Sequence, residues 1–165
     1  MATAIKTLIF TVLVPGTVAV WIPYGLLSAA DSRGSIPLGD FRYAGVAIML
    51  IGAMIYFWCA WDFTFAGKGT PAPIDPPKEL VVRGLYKYVR NPMYLGVLSI
   101  VFGEAIWFEA GRLFAYGGLV FLLFSAFVLL YEEPALRRKF GDSYRCYCKT
   151  VPRWIPRLRR QSDPT

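Results

Sequence analysis

The sequence contains no histidine among its 165 residues. This absence removes the commonest general acid and base at neutral pH and the usual imidazole ligand of zinc and iron. The three cysteines are Cys59, in an apolar stretch, and Cys146 and Cys148, a Cys-X-Cys without a second ligand pair. This pattern argues against a disulfide framework and against a zinc site. Any chemistry must therefore rely on carboxylates, tyrosines and arginines, or on a bound cofactor.

Charged residues are also few, at 18%, whereas 56% of the residues are hydrophobic and the mean hydropathy is +0.44. This composition is too apolar for an ordinary soluble domain, and the length favours one compact unit. A membrane-spanning helix takes about 20 apolar residues. Four windows qualify, of which the third is short and contains Glu104: 5–29, 43–66, 93–108 and 113–131. The sequence therefore predicts an all-α, polytopic membrane helix bundle of about four transmembrane helices, forming a single domain over residues 1–165.

The first window follows Lys6 and can be mistaken for a secretory signal peptide. Its apolar run is longer than the apolar core of such a peptide, and it ends at Ser28, Ala29 and Ala30 with only a weak cleavage-like pattern. We therefore expect a membrane-spanning helix that is retained.

Lysine and arginine are distributed unevenly among the segments that flank the windows. Fifteen of the 18 lie at Lys6, in the loop of residues 67–91 or after residue 131. Only Arg33, Arg42 and Arg112 lie in the other two connections. Because cytoplasmic loops carry the excess of positive charge, we expect both termini and the long loop on the cytoplasmic side.

The same asymmetry explains the net charge of +7. Basic residues beside membrane spans are attracted to anionic lipid headgroups. Nucleic-acid binding is a poor alternative, because these charges flank spans instead of covering a soluble module. We therefore expect membrane lipid as a partner, and neither nucleic acid nor metal.

The long cytoplasmic loop has four prolines between residues 71 and 77. Prolines at this density forbid a regular helix and favour an extended path. The segment is either a stiff linker or a strap that closes over a site.

Apolar and aromatic residues recur at spacings of four and three beyond Pro134. This spacing predicts a C-terminal amphipathic cytoplasmic helix that Gly141 interrupts and that ends near Val151. The residues on the apolar face are Leu136, Phe140, Tyr144, Tyr147 and Val151.

Polar and aromatic residues crowd the entrance to the third window. Asn91 and Pro92 are ordinary at a helix N-terminus, and interfacial tyrosines and arginines are common membrane anchors. Gly84 and Gly96 would allow a ligand or a neighbouring helix to come close. These accounts leave unexplained the concentration of Arg83, Tyr86, Tyr88, Arg90 and Tyr94 in so short a segment.

Four carboxylates are further candidates. Glu132 and Glu133 end the fourth window, where they either mark the water boundary or bind a ligand. Carboxylates at the C-terminal end of a helix oppose its macrodipole, which favours the second reading, with a cation or a hydroxyl-bearing ligand. Glu104 is costly in lipid and should face the bundle interior, either as a structural hydrogen-bond partner or on a substrate path. Asp62, near the cytoplasmic end of the second window, has the same two readings.

Two motifs follow one another along the chain. The first reads LVVRGLYKYVRNPMYLG over residues 80–96. The second reads EEPAL over residues 132–136, followed by FGDSY over 140–144, then Tyr147, Val151 and Pro152. These motifs, in this order, resemble the isoprenylcysteine carboxyl methyltransferase family, which belongs with the phospholipid N-methyltransferases to a wider group of membrane methyltransferases. The resemblance covers roughly residues 67–157.

The resemblance implies an S-adenosylmethionine site at the cytoplasmic ends of the last two spans and the tail. Val82, Gly84 and Tyr86 would line the cofactor, while Tyr144 and Tyr147 would close the pocket. Its methionine end would be shaped by Arg90, Asn91, Pro92, Tyr94 and Gly96, and its ribose or amino group would be held by Glu132 and Glu133. Among these and the tail, the candidate catalytic residues are Arg90, Asn91 and Arg153. Many relatives have histidine where this chain has Asn91, which removes a titratable group from that position.

Methyl transfer from a sulfonium is an in-line displacement that needs no metal, and a carboxylate or thiolate acceptor needs no general base. We therefore expect a methyltransferase acting on a hydrophobic or lipid-linked acceptor. Carboxylate O-methylation is favoured, with phospholipid N-methylation and thiol S-methylation as alternatives. Two other classes stay open: membrane reductases that use NADPH, against which no extra basic pocket for a 2′-phosphate is evident, and a small accessory membrane protein.

Overall fold

The computed structural model describes residues 2–28, 36–65 and 80–157. All regular elements in these ranges are helical. The six α-helices are α1 (Ala2–Leu13), α2 (Ile22–Ser28), α3 (Tyr43–Phe65), α4 (Pro92–Trp107), α5 (Gly111–Phe127) and α6 (Glu133–Thr150). The proline-rich segment of residues 71–77 and Arg33 of the first connection lie outside the described residues.

Three helical segments are long and apolar enough to cross a membrane: Ile5–Ser28, Gly39–Phe65 and Gly111–Thr150. They contain the first, second and fourth predicted windows, apart from the window ends that are not described. The third window forms α4, whose 16 residues make it about 24 Å long and shorter than a typical span. The expected all-α membrane bundle is confirmed.

The first spanning segment is not one uniform α-helix. A wide π turn at Thr17–Trp21 separates α1 from α2. Polar side chains tie this segment to α3, because the Thr11 hydroxyl lies 2.8 Å from the Tyr56 hydroxyl and the Thr7 hydroxyl lies 3.1 Å from that of Thr64. Such hydrogen bonds join helices in an apolar medium, where burial of side chains alone provides little driving force.

Glycines bring α3 and α4 into close contact. Gly45 and Gly52 of α3 face Gly103 and Gly96 of antiparallel α4, and the two glycines of each helix are seven residues apart. A Cβ on Gly52 would lie 2.6 Å from the Gly96 carbonyl oxygen, and one on Gly103 would lie 2.7 Å from that of Gly45. Small residues allow backbones to approach in this way in membrane helix pairs. The tight pair fixes where the start of α4 lies.

A short link of residues 108–110 joins α4 to α5 in a helical hairpin. Glu109 adopts a positive φ of 54° in this link, and its Oε1 accepts hydrogen bonds from the backbone N–H groups of Leu38 (2.8 Å) and Gly39 (3.1 Å). These bonds connect the link to the segment before α3. The loops at this end of the bundle therefore hold one another in register.

The C-terminal helix continues α5 instead of starting separately. A π turn at Val128–Glu132 joins α5 to α6 without a break. Pro134 lies in the first turn of α6 and does not end the helix. Gly141 interrupts the helix as predicted, with φ 54° and ψ −125°, and the residues beyond it fold back toward the start of α4.

Candidate functional site

A cavity of about 210 Å³ lies between the start of α4, the end of α5 and both parts of α6. Its lining includes arginine, asparagine and glutamate side chains as well as apolar and aromatic ones. Its lining residues are Phe63, Leu80, Val81, Tyr86, Arg90, Asn91, Tyr94, Phe127, Val128, Tyr131, Glu132, Glu133, Ala135, Leu136, Lys139, Tyr144 and Tyr147. The cavity therefore joins residues of both sequence motifs in one place.

The first contact between the motifs is a hydrogen bond across the cavity wall. The Tyr94 hydroxyl donates to Oε2 of Glu132 at 3.0 Å. The Tyr94 ring is packed between Phe124, at a centroid distance of 4.7 Å, and Trp154, at 6.5 Å. Within the described ranges, the second carboxylate oxygen of Glu132 makes no further side-chain hydrogen bond. This oxygen belongs to a residue that lines the cavity.

The second contact is a cluster of three arginines around Glu133, whose side chain is only 4% exposed. Its Oε1 accepts hydrogen bonds from Arg90 at 2.9 Å and from Nε of Arg153 at 2.7 Å. Its Oε2 accepts from Arg153 at 3.1 Å and from Arg137 at 3.3 Å. Glu133 therefore joins the start of α4, the first turn of α6 and the C-terminal segment.

The two glutamates differ in their electrostatic environment. Burial alone would raise the pKa of Glu133, but the hydrogen bond from Arg153 and the charges of Arg90, Arg153 and Arg137 together lower it below its usual value. Burial raises the pKa of Glu132, and the charge of Glu133 adds to this, while the bond from Tyr94 opposes it. Adjacent carboxylates are thus separated in pKa by their neighbours.

The C-terminal segment of residues 151–157 is hydrogen-bonded to the entrance of α4. The Arg90 N–H donates to the Pro152 carbonyl at 2.9 Å, and the Arg157 N–H donates to the Tyr88 carbonyl at 3.1 Å. Asn91 Nδ2 donates to the Arg153 carbonyl at 3.1 Å. The Asn91 side chain therefore does not cap α4, as an asparagine at this position commonly does, but fixes the segment that carries Arg153.

Tyrosines from the second part of α6 also line the cavity. The Tyr147 hydroxyl donates to the Tyr86 carbonyl at 2.7 Å, and both residues are buried. Tyr144 lies beside Tyr147, with ring centroids 6.1 Å apart. The bend at Gly141 turns this part of α6 back toward the 84–87 turn, so the second motif reaches the first.

Eight of the thirteen residues proposed for the cofactor or for catalysis line the cavity. Those eight are Tyr86, Arg90, Asn91, Tyr94, Glu132, Glu133, Tyr144 and Tyr147. Of the other five, Arg153 reaches the site through Glu133, and Val82 is 41% exposed away from it. Pro92 is fully buried in the first turn of α4, where its fixed φ suits the helix start. Gly84 lies against α3.

Gly96 is also outside the cavity, because it faces α3 and not the ligand side of α4. A Cβ there would lie 2.8 Å from the Gly52 carbonyl oxygen and 3.0 Å from the Tyr56 nitrogen. Its smallness therefore serves the helix pair. The sequence allows either a ligand or a neighbouring helix close to Gly96, and in the structure it is the neighbouring helix α3.

Neither carboxylate of the expected substrate path lines the cavity. Asp62 is buried at the end of α3 and its Oδ1 lies 3.1 Å from Nε of Arg83. Glu104 lies in the fourth turn of α4, and its Oε2 is buried without a hydrogen-bond partner among the described residues. These two residues lie at opposite ends of the α3–α4 pair.

The sequence reading missed several residues of the site. Arg137 follows Glu133 by four residues, a spacing that places two side chains on one helix face, so the helical pattern contained this signal. Trp154 packs against Phe121 of α5 at 5.3 Å as well as against Tyr94. Cys148 accepts a hydrogen bond from Arg90 at 3.0 Å. No local pattern pointed to these last two contacts, since each joins residues far apart in the chain.

The described residues contain no group of three or more histidine, cysteine, aspartate or glutamate side chains that could hold a metal ion. The cavity instead offers carboxylate oxygens, guanidinium groups and the faces of tyrosine rings. Carboxylates and aromatic faces bind cations, and arginines bind carboxylates. This combination suits an organic ligand that carries both signs of charge and an apolar part.

Comparison with known families gives one match over most of the chain. The family model described as phospholipid methyltransferase matches residues 41–143. The matched range contains α3, α4, α5 and the first part of α6, and 15 of the 17 residues that line the cavity lie within it. No solved structure matches the chain.

Three relatives have names that specify an activity. Methanethiol S-methyltransferase 2 of Bradyrhizobium diazoefficiens is 36% identical over 147 residues, covering 78% of this chain and 54% of that protein. Methanethiol S-methyltransferase of Pseudomonas deceptionensis is 42% identical over 80 residues, covering 46% of this chain and 28% of that protein. Protein-S-isoprenylcysteine O-methyltransferase of Schizosaccharomyces pombe is 39% identical over 80 residues, covering 47% of this chain and 33% of that protein. The chain thus spans about half of the first relative's length, and less of the other two.

Proposed function

Because the chain belongs to the phospholipid methyltransferase family, we propose that it is an integral membrane methyltransferase that uses S-adenosylmethionine. Its acceptor is a hydrophobic or lipid-linked small molecule. The observation that supports this most directly is the cavity that joins the two motifs, with Tyr94 bonded to Glu132 and Arg90 paired with Glu133 in its wall. A purely structural pair of membrane anchors would have no need of such a cavity.

The residues present fit this cofactor. Glu132, with one oxygen not engaged by described side chains, suits the ribose hydroxyls or the amino group. The rings of Tyr86, Tyr144 and Tyr147 suit a cationic sulfonium and an adenine face. Arg90, whose buried Nε has no partner among the described residues, suits a carboxylate. When bound, the cofactor supplies an electrophilic methyl group.

The chain's own residues bind and orient both reactants. Glu133 fixes the directions of Arg90 and Arg153, and Asn91 fixes the backbone that carries Arg153. This makes Glu133 a positioning residue, because both of its oxygens are already paired with arginines. Gly84, Pro92 and Gly96 support the backbone around the cavity without lining it, and Val82 does not line it either. Alignment of this kind is the main contribution a protein makes to a methyl transfer.

A carboxylate acceptor is the preferred class, because the cluster carries three arginines for one Glu133 carboxylate. This leaves an excess of positive charge that suits an anionic acceptor. A small thiol is the second candidate, since two relatives are named methanethiol S-methyltransferases and one aligns with 78% of this chain. Neither acceptor needs a general base once it is ionised. Phospholipid N-methylation is less favoured, because an amine acceptor must lose a proton.

We infer that the cavity faces the cytoplasm. The two segments that form it, residues 80–91 and 133–157, belong to the basic side of the chain. Cytoplasmic flanks carry this bias. S-adenosylmethionine is made and used inside cells, which is consistent with this orientation. Glu104 and Asp62 have no role in acceptor entry in this proposal.

Isothermal titration of the detergent-solubilised protein with S-adenosylhomocysteine and with NADPH tests the cofactor. Binding of the first alone supports a methyltransferase, binding of the second alone supports a reductase, and binding of neither supports an accessory protein. Labelled S-adenosylmethionine is then incubated with the protein and, in turn, with a prenylated cysteine, methanethiol and a phosphatidylethanolamine vesicle. The product that gains the label identifies O-, S- or N-methylation.

A further inference from the structure

Asp62 is a buried carboxylate for which the proposed chemistry has no use. Its side chain is 4% exposed, it lies at the end of α3, and it does not line the cavity. Carboxylates are rarely kept at the end of an apolar helix without a partner or a task. Its ion pair and its closest steric neighbour both belong to one segment, the turn within the first motif.

The first contact is an ion pair. Oδ1 of Asp62 lies 3.1 Å from Nε of Arg83, whose side chain is 56% exposed. The second contact is steric, because a Cβ on Gly84 would collide with Oδ2 of Asp62 and lie 3.1 Å from Nε1 of Trp58. Trp58 and Asp62 are one helical turn apart on α3, so they form a continuous surface under the turn.

Gly84 has the backbone conformation that this contact requires. Its φ is +54°, which side chains disfavour, and it starts the 3-10 turn Gly84–Lys87. The turn is closed by the Tyr86 N–H, which donates to the Arg83 carbonyl at 3.0 Å. The position of Arg83 therefore determines the position of Tyr86.

Tyr86 in turn forms part of the cavity. Its ring packs with Cys59 and against Phe63 of α3, at a centroid distance of 5.4 Å from Phe63. Its carbonyl accepts the hydrogen bond from Tyr147, which joins the turn to α6. A displacement of the turn would thus move both Tyr86 and the Tyr147 side chain that is bonded to it.

We propose that Asp62 is a positioning residue, which holds the Arg83–Gly84 turn against α3 and thereby sets the Tyr86–Tyr147 wall of the cofactor cavity. This inference rests on the proposed function, because it assigns the wall to the cofactor. Asp62 acts through the turn and does not touch the ligand. It replaces the expectation that Asp62 lies on a substrate path.

The test compares the wild type with Asp62→Asn, Arg83→Gln and the double variant. S-adenosylhomocysteine affinity is measured by titration, and backbone exchange of residues 84–89 is measured by hydrogen–deuterium exchange without ligand. Each single variant should weaken affinity about three- to tenfold, since Arg83 is 56% exposed and solvent screens its charge. The double variant should bind S-adenosylhomocysteine at least as tightly as the single variant with the lower affinity, because both substitutions break the same ion pair. Exchange at the Tyr86 amide should rise while exchange in α4 stays unchanged.

Asp142 and Arg145 form a matched control, because they are an aspartate–arginine pair at 3.2 Å on the exposed face of α6. Asp142→Asn and Arg145→Gln should leave affinity and exchange at wild-type values. Wild-type affinity and exchange in Arg83→Gln would overturn the proposal, even if Asp62→Asn fails to fold. So would exchange that rises equally in α4. A wild-type protein that does not bind S-adenosylhomocysteine would refute the proposed function, whereas the exchange measurement would still decide whether Asp62 holds the turn.

Discussion

The hydroxyl of Tyr94 donates a 3.0 Å hydrogen bond to Glu132, although the two residues are 38 positions apart and belong to different helices. Tyr94 lies in the first turn of α4 and Glu132 in the π turn that follows α5. The α4–α5 hairpin brings these two ends together. This bond directly connects the two motifs in the wall of the cavity.

Tyr94→Phe should weaken S-adenosylhomocysteine binding by about 1–2 kcal/mol, because it leaves the half-buried Glu132 without this donor. The ring contact with Phe124 is retained, so the unfolding temperature should change little. Titration of the two proteins checks the affinity. Tyr24→Phe is the control, since Tyr24 is 69% exposed and remote from the cavity. Equal affinities for Tyr94→Phe and wild type would remove Glu132 from the cofactor site.

Glu132→Ala and Glu133→Ala should both weaken S-adenosylhomocysteine binding, at least one of them by about 1–3 kcal/mol, the usual loss for a charge-assisted hydrogen bond. The structure adds that only Glu133→Ala should also lower stability, by about 3 kcal/mol, because it leaves three arginines around an empty position. Thermal unfolding in detergent separates the two effects. Unchanged affinity in both folded variants would mean that the pair only marks the membrane boundary.

The stability that Glu133 provides should depend on pH. Its folded pKa is lowered by its arginine partners, so its contribution is complete above the unfolded value of about 4.3 and is lost as the pH falls through the folded pKa. Unfolding temperatures of wild type and Glu133→Gln, measured from pH 7 to pH 3, should therefore converge at the acid end. Parallel curves over this range would contradict the assignment.

Gly52→Ala and Gly96→Ala should each destabilise the protein by about 1–3 kcal/mol, the usual cost of overpacking. Each new Cβ would lie within 2.8 Å of a carbonyl oxygen of the facing helix, and backbone cannot move aside as a side chain can. Gly118→Ala is the matched control, because nothing lies within 4 Å of a Cβ at that helical position. We expect Gly118→Ala to be neutral or slightly stabilising. Similar unfolding temperatures for all three variants would refute the glycine contact.

The helices could be predicted from the sequence because hydropathy and the glycine at 141 are local signals. The α3, α5 and first-span windows agree with the helices to within a few residues where the structure describes them. The end of α5 could not be predicted, because a π turn leaves no clear pattern and Pro134 resembles a helix start. A π turn adds a residue to the helical repeat, so it changes which face the following residues occupy.

The roles within the site were only partly predictable for a related reason. Adjacent residues on a helix point in directions about 100° apart, so Glu132 and Glu133 cannot serve one ligand group equally. From the sequence they are predicted to act together, whereas in the structure Glu132 accepts a hydrogen bond from Tyr94 and Glu133 accepts hydrogen bonds from arginines. Likewise, the sequence does not reveal that Asn91 bonds the Arg153 carbonyl, because the partner is 62 residues away.

The topology prediction is four spans with both termini in the cytoplasm. It follows from the 15 of 18 basic residues that lie on one side in this arrangement. A reporter enzyme that is active only in the cytoplasm, fused after Thr165, should be active. A fusion that is active only outside the cytoplasm would invert the orientation and move the proposed site to the other face.

Activity on a carboxylate acceptor should change little between about pH 6 and pH 8. The chain has no histidine, so no imidazole of the protein titrates in that range, and the position that is histidine in many relatives is Asn91. Carboxylates usually titrate below this window and tyrosines above it.

Burial and the neighbouring Glu133 charge raise the pKa of Glu132, so its ionised form is lost at a higher pH than usual as the solution is acidified. Any decline in cofactor affinity should therefore begin at the acid end and disappear in Glu132→Gln. Initial rates at saturating S-adenosylmethionine, with a prenylated cysteine and with methanethiol as acceptors, distinguish the acceptors. Titration with S-adenosylhomocysteine over the same pH range measures the cofactor affinity. A steep rise from pH 6 to pH 8 that persists in Glu132→Gln would follow ionisation of the acceptor itself, and it would favour a thiol or an amine over a carboxylate.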